Sequence, residues 1–309
     1  MSMPDARRQA RIAAAFQAAC EAELQALKPG NVSVYADGHG MQVQDFVRSA
    51  HAAAPWVARE GLGVGARVLA AVTATRAAVG CNTNLGIVLL CVPLACAAGQ
   101  LDHTGTDDGR AAGVMRLQAA LCGVLEQADR HETEQVFAAI RLARPGGLGD
   151  SAAHDVREPA QAGLLAVMCV AQARDRIAWQ YAQGFEDVLG TGLEALMQGL
   201  GRGLSLPDAL SGVFLAFLAA FPDSLVQRKQ GDITASALQQ RAAGLLVRYR
   251  QGADTVDAGI REQLLGLDRE LKQQGINPGT SADLVVATLF AAELLGWVAI
   301  SGESAGNGF

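Results

Sequence analysis

The chain has 309 residues, half of them hydrophobic, so it is long enough to bury a large core. Its formal net charge of −6 argues against a general nucleic-acid binder, because such proteins present a basic surface. Only 5% of the residues are aromatic, and small apolar side chains dominate, which favours packed helices over a sheet. We therefore expect an all-α protein, a single multi-helix globular bundle formed by residues 1–309.

Two apolar stretches, residues 85–98 and 284–300, are too short or too interrupted by charge to be read as membrane spans. We expect both to be buried core helices, although an interface between the two copies of a homodimer is also open. The first 20 residues carry several charges and no long apolar segment, and the six cysteines form no CxxC pair. These features predict a cytoplasmic protein without a membrane partner.

The first predicted helix carries apolar residues at helical spacing from Ile12 to Leu27 and ends at Lys28-Pro29-Gly30. Glycine and proline clusters separate the later helical patterns, and no segment alternates as a strand does. The later patterns cover residues 43–60, 64–79, 85–98, 107–128, 132–143, 159–185, 186–200, 207–220, 234–250, 255–274 and 281–300. Polar residues collect at the ends of these helices, so we expect the active site in the loops there.

The first polar cluster combines Lys28, Asn31 and His39. It is either the ordinary stop of a helix or a substrate loop that supplies a cation, an amide and an imidazole. The second cluster, residues 80–86, opens the most apolar helix of the chain. Its asparagines and threonine either cap that helix or hold an anion at the free N–H groups of its first turn.

The third cluster contains a glycine-rich segment at residues 146–149, followed by His154 and Asp155. It is either a connection between helices or a loop that closes over a substrate. The charged triplet at residues 174–176 lies inside the long helix predicted at 159–185, where pairing along that helix is the simpler explanation.

The fourth cluster places Asp223 about one helical turn before Arg228 and Lys229. A carboxylate beside two cations suits a metal ion and the phosphates that it bridges, and a solvated helix end is the alternative. The fifth cluster runs from Asn277 to Asp283. Its Thr-Ser-Ala-Asp segment approximates a capping box, or its turn wraps a phosphate at the helix end. The sequence has no P-loop motif and no zinc-protease motif.

Four of these segments, in their order, resemble the ATP:dephospho-CoA triphosphoribosyltransferases, also called triphosphoribosyl-dephospho-CoA synthases. Enzymes of that family make a prosthetic-group precursor for citrate and malonate decarboxylation. The matching segments run from Lys28 to Val32, from Gly80 to Gly86, from Asp223 to Arg228 and from Asn277 to Leu284. The resemblance covers about residues 24–290.

The chain departs from the family pattern at four points. The family's Arg-Gly-Glu-Ala-like central stretch is not recognisable, and His154-Asp155-Val156 stand nearby instead. The family's Asn-Thr-His-Lys-Gly segment reads Asn82-Thr83-Asn84-Leu85-Gly86 here. Gly40 stands where the family has an acidic residue, and Lys229-Gln230 stand where it has two glycines. The chain therefore resembles a divergent branch, similar to homologues of methylotrophs and methanogens that carry pterin-type one-carbon cofactors.

The resemblance implies a transferase of cofactor biosynthesis that moves a 5-triphosphoribosyl group from ATP to an acceptor hydroxyl and releases adenine. In the family the acceptor is dephospho-CoA. ATP as a substrate, Mg²⁺ and small nucleotide partners follow from the same resemblance. One alternative is a phosphoribosyl or glycosyl transferase that builds a tetrahydromethanopterin-like cofactor. The other alternative is a nucleotide-binding protein without catalytic activity.

The polar clusters and the resemblance together give a set of expected site residues. We expect catalytic roles, either as a base or in metal binding, for Asp155, Asp223 and Asp283, and a role as acid or phosphate contact for His39. The two expected metal ligands are Asp223 and Asp283. The residues expected to bind the substrate or the nucleotide are Lys28, Asn31, Asn82, Thr83, Asn84, Arg228, Lys229, Asn277 and Ser281.

Overall fold

The computed structural model of the chain describes residues 3–101, 109–146, 153–252 and 254–300. These ranges fold into fourteen α-helices and one π-helical segment and contain no strand, which confirms the all-α prediction. The helices are α1 (Met3–Glu23), α2 (Val43–Val57), α3 (Val64–Val79), α4 (Leu85–Gly99), α5 (Gly109–Gln127), α6 (Arg130–Ala143), α7 (Leu164–Ala171), α8 (Arg176–Ala182), the π-helical segment (Asp187–Gly192), α9 (Leu193–Gly201), α10 (Leu206–Ala220), α11 (Ser224–Gln230), α12 (Asp232–Gln251), α13 (Ala258–Gln273) and α14 (Gly279–Leu294).

The centre of the fold is formed by α4 and α14, which are apolar on every side and buried along most of their length. They pack against each other, and α14 also packs on α1 and α10. The Phe16 and Phe290 rings meet edge to face across the α1–α14 contact, with their centroids 6.0 Å apart. The first apolar stretch is therefore a core helix, as predicted. The second is a core helix only as far as Leu294, and residues 295–300 leave the helix and are partly exposed.

The helices were also tested as membrane spans. In the described ranges no single helix is both long and apolar enough to cross a bilayer. One bent pair, α10 with α11, reaches the required length and composition only when the two are taken together.

The long helix predicted at residues 159–185 is wrong. The pattern at residues 159–185 forms two short helices, α7 and α8, with a break at residues 172–175. The break occurs because the Asp175 side chain accepts hydrogen bonds from the backbone N–H groups of Ile177 and Ala178, which starts a new helix at Arg176. The charged triplet 174–176 therefore lies at a helix start and not along one helix.

The hydrophobic interior has two parts. The main cluster surrounds α4 and α14, and a smaller cluster forms between α6 and the segment that precedes and includes α7. The smaller cluster is built on Phe137, Ala160 and Val167. A cavity is lined by members of both clusters, and the N-terminal ends of α4, α8, α11 and α14 meet it.

Candidate active site

The cavity has a volume of about 480 Å³ and an opening to solvent. Six of the residues predicted from the sequence line it: His39, Asn82, Arg228, Lys229, Asn277 and Asp283. Three further basic residues and one acidic residue line it that were not in the predicted set: Arg144, His154, Arg174 and Asp175. The cavity thus gathers residues from all five polar clusters.

Arg144, Arg174, Arg228 and Lys229 form what we call the cationic rim of the cavity. The side chain of Lys229 reaches across to the loop after α6, where a Cβ atom added to Gly146 would lie 2.7 Å from its Cε atom. Against these four cations, the cavity lining contains only the two carboxylates of Asp175 and Asp283. A protein with a net charge of −6 therefore concentrates positive charge at this cavity, as the binding of a polyanion requires.

Asp283 is a carboxyl group without an internal hydrogen-bond partner among the described residues. It lies in the second turn of α14 and faces Gly86, where an added Cβ atom would lie only 2.0 Å from its Oδ2 atom. Burial, with the nearby Glu23, Asp223 and Asp175, raises the pKa of Asp283 well above its usual value, and Arg228 opposes this shift. The Asp283 carboxyl group is therefore available to a ligand in the cavity.

The capping box considered for the fifth cluster does not form. α14 begins at Gly279, with Pro278 at the N-cap position and no side-chain cap. Thr280 is thus already inside the helix, where its hydroxyl group lies 3.0 Å from that of Ser224. Asp283 is left facing the cavity.

Asp223 is the opposite case, a carboxylate fully used inside the protein. It is completely buried, and its Oδ1 atom accepts hydrogen bonds from the N–H groups of Leu225 (3.0 Å) and Val226 (3.1 Å). Its Oδ2 atom accepts from the N–H (2.7 Å) and the hydroxyl group (2.8 Å) of Ser281. Burial raises the pKa of Asp223, and these four donors oppose the shift. Asp223 and Ser281 tie the starts of α11 and α14 together and do not line the cavity.

Glu23, Lys28, Asn31 and Asn277 form what we call the buried polar junction. The Lys28 ammonium group is fully buried and bonds to Glu23 Oε1 (2.6 Å), Asn31 Oδ1 (3.0 Å) and the Val32 carbonyl oxygen (2.9 Å). Burial lowers the pKa of Lys28 and raises that of Glu23, and each group opposes the shift of the other. All three ammonium hydrogens are taken, so the geometry does not favour the predicted contact of Lys28 with phosphate.

The junction fixes the orientation of Asn277 at the cavity. Because lysine only donates, the Asn31 side chain must present its oxygen to Lys28 and its Nδ2 to Asn277 Oδ1, at 2.9 Å. In the described part of the chain the Asn277 side chain has no other bond, so its Nδ2 is left as a donor at the cavity wall.

The second cluster divides between the helix and the cavity. Asn82 lines the cavity, and its Oδ1 atom accepts from the Leu85 N–H at the start of α4 (3.1 Å). Thr83 is buried and donates to Ser49 (2.6 Å). Asn84 occupies the N-cap position without capping, and its buried Nδ2 atom lacks a partner among the described residues. Of these three, only Asn82 lines the cavity.

Asp155 lies beside the cavity without lining it. Its carboxylate forms a bidentate pair with Arg157 (2.8 and 2.7 Å), while the flanking His154 and Val156 line the cavity. The predicted catalytic role of Asp155 therefore gains no support from the geometry. Residues 147–150 of the same cluster lie outside the described ranges.

Asp175 and Arg228 are an ion pair of the cavity wall that the sequence pattern obscured. The Asp175 Oδ2 atom accepts from Arg228 Nη1, and the Nε atom of Arg228 is buried without a partner among the described residues. The neighbouring Arg176 makes a bidentate pair with Asp187 instead and stacks on the Trp179 ring at 3.6 Å. A helix N-cap at Asp175, followed by a break in the apolar pattern, was the signal that could have identified this site.

The described residues bring together no group of three or more histidine, cysteine, aspartate or glutamate side chains that could hold a metal ion. Of the two predicted metal ligands, only Asp283 lines the cavity. The metal prediction stays a prediction.

Comparison with known proteins gives consistent results. A family model described as ATP:dephospho-CoA triphosphoribosyl transferase matches residues 9–301. A Pseudomonas putida protein named as a probable 2-(5''-triphosphoribosyl)-3'-dephosphocoenzyme-A synthase is 35% identical over 111 residues, which are 36% of this chain and 38% of that protein. A Pseudomonas fluorescens protein of the same name is 29% identical over 232 residues, 75% of this chain and 66% of that protein.

The fold also has a counterpart among solved structures. A crystal structure from Archaeoglobus fulgidus, of a protein given the provisional name triphosphoribosyl-dephospho-CoA synthase, superposes with a TM-score of 0.61. The two chains are 26% identical, and the match covers 81% of this chain and 99% of that one. The two curated relatives, in contrast, are matched over less than two thirds of their own length.

Proposed function

The chain belongs to the ATP:dephospho-CoA triphosphoribosyl transferase family, and on this premise we propose that it moves the 5-triphosphoribosyl group of ATP to an acceptor hydroxyl and releases adenine. The observation that carries the proposal is the cavity itself. It sets the cationic rim beside the unpartnered carboxyl group of Asp283. The cationic rim supplies the positive charge that a triphosphate requires. The Asp283 carboxyl group supplies the carboxylate that substitution at a sugar carbon requires.

The triphosphate binds at the cationic rim. Arg228 contributes a guanidinium group held by Asp175, with a buried Nε–H still to be satisfied, and Lys229 contributes a mobile point charge. The N-terminal end of α11 carries no free charge for this purpose, because Asp223 already occupies its N–H groups. The triphosphate is therefore bound by side chains such as Arg228 and Lys229, and not by the backbone N–H groups of α11.

The ribose lies next to Asp283. In the transfer, the bond between the ribose anomeric carbon and the adenine nitrogen breaks, and the acceptor oxygen forms the new bond to that carbon. The transition state resembles an oxocarbenium ion, which an adjacent carboxylate stabilises. Asp283, in its carboxylate form, accepts the proton of the acceptor hydroxyl, and adenine takes up a proton from solvent at the nitrogen that leaves. Asp283 later returns its proton to solvent, so the protons balance. His39 is a second group at this wall, and its Nε2–H donates to the Gly30 carbonyl oxygen (2.8 Å).

Dephospho-CoA is the acceptor that we test first, and a pterin-type cofactor precursor is the second candidate. The observation that favours the second is Leu85, which lines the cavity at the position where the family pattern has a lysine. An apolar side chain there removes one cation from the acceptor's surroundings. The cationic rim, which we propose binds the triphosphate of the donor ATP, is not affected by this difference.

Mg²⁺ is proposed as the partner of the triphosphate, bound mainly by phosphate oxygens. Mg²⁺ commonly takes one or two protein carboxylates in addition to substrate phosphates, and Asp283 is the open one of the predicted pair. We propose that Asp283 acts at the ribose and that the phosphate oxygens bind the Mg²⁺ ion. If the Asp283→Asn variant no longer needs Mg²⁺ to bind ATP, Asp283 is a metal ligand instead.

The six cysteines are all free thiols, which suits the reducing cytoplasm that we propose as the compartment. A homodimer stays a prediction. Sedimentation of the purified protein over a range of concentrations tests it.

The function is tested by the release of adenine. The purified protein is incubated with ATP and Mg²⁺, with and without dephospho-CoA, and the products are resolved by mass spectrometry. Free adenine together with a triphosphoribosyl adduct of the acceptor supports the proposal. A second set with phosphoribosyl diphosphate as donor, and a pterin precursor as acceptor, tests the alternative. A folded protein that binds ATP but releases no adenine with either acceptor would contradict the proposed activity.

A further inference from the structure

Four non-glycine residues of the described ranges have a positive φ: His39 (57°), Arg144 (50°), His154 (52°) and Phe185 (61°). In this left-handed region the Cβ atom of an L-residue crowds the backbone, so the conformation is unfavourable for any residue but glycine. Three of the four, all except Phe185, line the cavity. Such conformations persist where the surroundings compensate for them or where function requires them.

For two of the four residues the protein itself provides the compensation. Phe185 is completely buried in the main core, and its ring centroid lies 5.6 Å from that of Tyr181. His39 donates its Nε2–H to the Gly30 carbonyl oxygen at 2.8 Å. Packing explains the first conformation, and a hydrogen bond supports the second.

Arg144 has no such compensation. It ends α6 in the left-handed conformation, and its N–H bonds to the Ile140 carbonyl oxygen (3.1 Å). α3 ends in the same way, with its cap N–H bonded to Arg76, but there the sequence uses glycine, Gly80. The Arg144 side chain is exposed and makes no bond to any described residue. Glycine would therefore serve the backbone at position 144 better than arginine does.

His154 shows the same pattern at the neighbouring wall of the cavity. Its backbone is left-handed, and its Nδ1 atom is buried without a hydrogen-bond partner in the described part of the chain. A buried polar atom left without a partner is costly unless a ligand satisfies it.

We propose that Arg144 and His154 are phosphate-binding residues, held in strained conformations so that both side chains reach the polyphosphate of the bound nucleotide. The inference rests on the proposed function for the identity of the donor. It goes beyond it in adding His154 to the phosphate-binding residues and in giving a reason for the left-handed backbone of Arg144 and His154, which both lie outside the recognised motifs. The ligand class is a chain of phosphoryl groups, which a guanidinium and an imidazole bind through charge-assisted hydrogen bonds.

The Arg144→Gly variant tests this directly, because strain and binding predict opposite changes. Without ligand, its midpoint of thermal unfolding is expected to rise by about 2 °C, since glycine adopts the left-handed conformation freely. Its dissociation constant for ATP is expected to rise about 10- to 100-fold, the usual effect of losing a charged hydrogen bond. Inorganic tripolyphosphate, which has no sugar or base, should lose affinity by a similar factor.

Three further variants make the result decisive. Arg144→Lys keeps the charge and the strain, so it should retain most of the affinity and the wild-type unfolding midpoint. Arg269→Gln removes one exposed charge far from the cavity lining and controls for net charge. His154→Gly should repeat the combination of higher stability and weaker tripolyphosphate binding.

An Arg144→Gly protein that binds tripolyphosphate as tightly as the wild type would overturn the proposal. So would a lower unfolding midpoint, because it would show that the arginine serves the fold. Tripolyphosphate binding is measured without turnover, so a failure of the proposed transferase activity is seen separately, in the adenine assay.

Discussion

The buried polar junction and the cavity wall use similar residues in opposite ways. In the junction both charged groups have a partner: the Lys28 ammonium group makes three bonds, one of them to Glu23, and Asn31 links Lys28 to Asn277. At the cavity wall, Asp283 and Arg144 make no side-chain bond to the described residues, and Arg228 keeps an unsatisfied Nε–H. Satisfied polar groups hold the scaffold in one arrangement, whereas unsatisfied ones are kept for a ligand.

The two carboxylates of Asp223 and Asp283 show this contrast at closest range. Both are taken out of bulk water, and burial is the main cause that raises the pKa of each. Asp223 accepts four hydrogen bonds and joins two helices, while Asp283 accepts none from the described residues. Asp223 is completely buried, and Asp283 is half-buried at the cavity. Residue type and the direction of the pKa shift therefore do not identify the functional carboxylate, whereas its exposure to the cavity and the number of its donors do.

The largest expected effect separates these two carboxylates. Asp283→Asn should lower kcat for adenine release by about 10²- to 10⁴-fold, because it removes the proton acceptor at the reacting sugar. Its unfolding midpoint should not fall, since no internal hydrogen bond is lost. Steady-state kinetics and a thermal melt on the same preparation measure both quantities.

Asp223→Asn is the matched control. In this variant one carboxylate oxygen becomes an NH₂ group, which cannot accept the hydrogen bonds that this oxygen accepts in the wild type. We expect the free energy of unfolding to fall by about 1–3 kcal/mol. The folded protein should keep its kcat. A loss of kcat equal to that of Asp283→Asn would remove the distinction between the two regions.

The next largest effect concerns the junction. Lys28→Met leaves Glu23 buried without its partner, and we expect a loss of about 3–5 kcal/mol in the free energy of unfolding. Urea titration measures it. The double variant Lys28→Met/Glu23→Leu should recover much of this loss, because no unpaired charge remains. A stable Lys28→Met protein with weakened ATP binding would instead place Lys28 at the phosphates.

A smaller effect is expected at Gly86 of α4, which packs against Asp283 at the cavity wall. Gly86→Ala would put its Cβ atom 2.0 Å from Asp283 Oδ2, so the carboxylate must move. We expect a loss of about 1–3 kcal/mol in stability and a lower kcat. Gly99→Ala, at the other end of the same helix, meets no atom within 4 Å and serves as the control. Equal behaviour of the two variants would mean that the position of Asp283 is not critical.

The smallest effect is expected at Lys229, which is exposed like Arg144 but whose side chain already packs against Gly146. Lys229→Ala should weaken ATP binding by about 2- to 5-fold, as exposed charge pairs are worth little, and the difference should shrink at high salt. Calorimetry at two salt concentrations measures it. A salt-independent change would indicate that Lys229 acts through its packing on Gly146.

The sequence predicted much of the fold and the general place of the site. The apolar runs of α4 and α14 could be identified as core helices because no amphipathic face interrupts them. The break before α8 was not predicted, because a short polar stretch such as residues 172–176 is also ordinary within one long helix, and only the cap at Asp175 marks the new start. As a result, Asp175 and Arg174 were missed as cavity residues. Arg144 was missed because a cationic residue at a helix end is ordinary.

The sequence by itself determined that this chain is a helical bundle with polar clusters at helix ends, since helical periodicity and motif order are local properties of the chain. Only the tertiary structure decided which polar residues serve a ligand. That depends on how many partners each side chain finds, and those partners come from distant segments: Asn277 for Asn31, Ser281 for Asp223 and Asp175 for Arg228. Local sequence records that a lysine or an aspartate is present, and the packing of helices determines whether its charge is already satisfied.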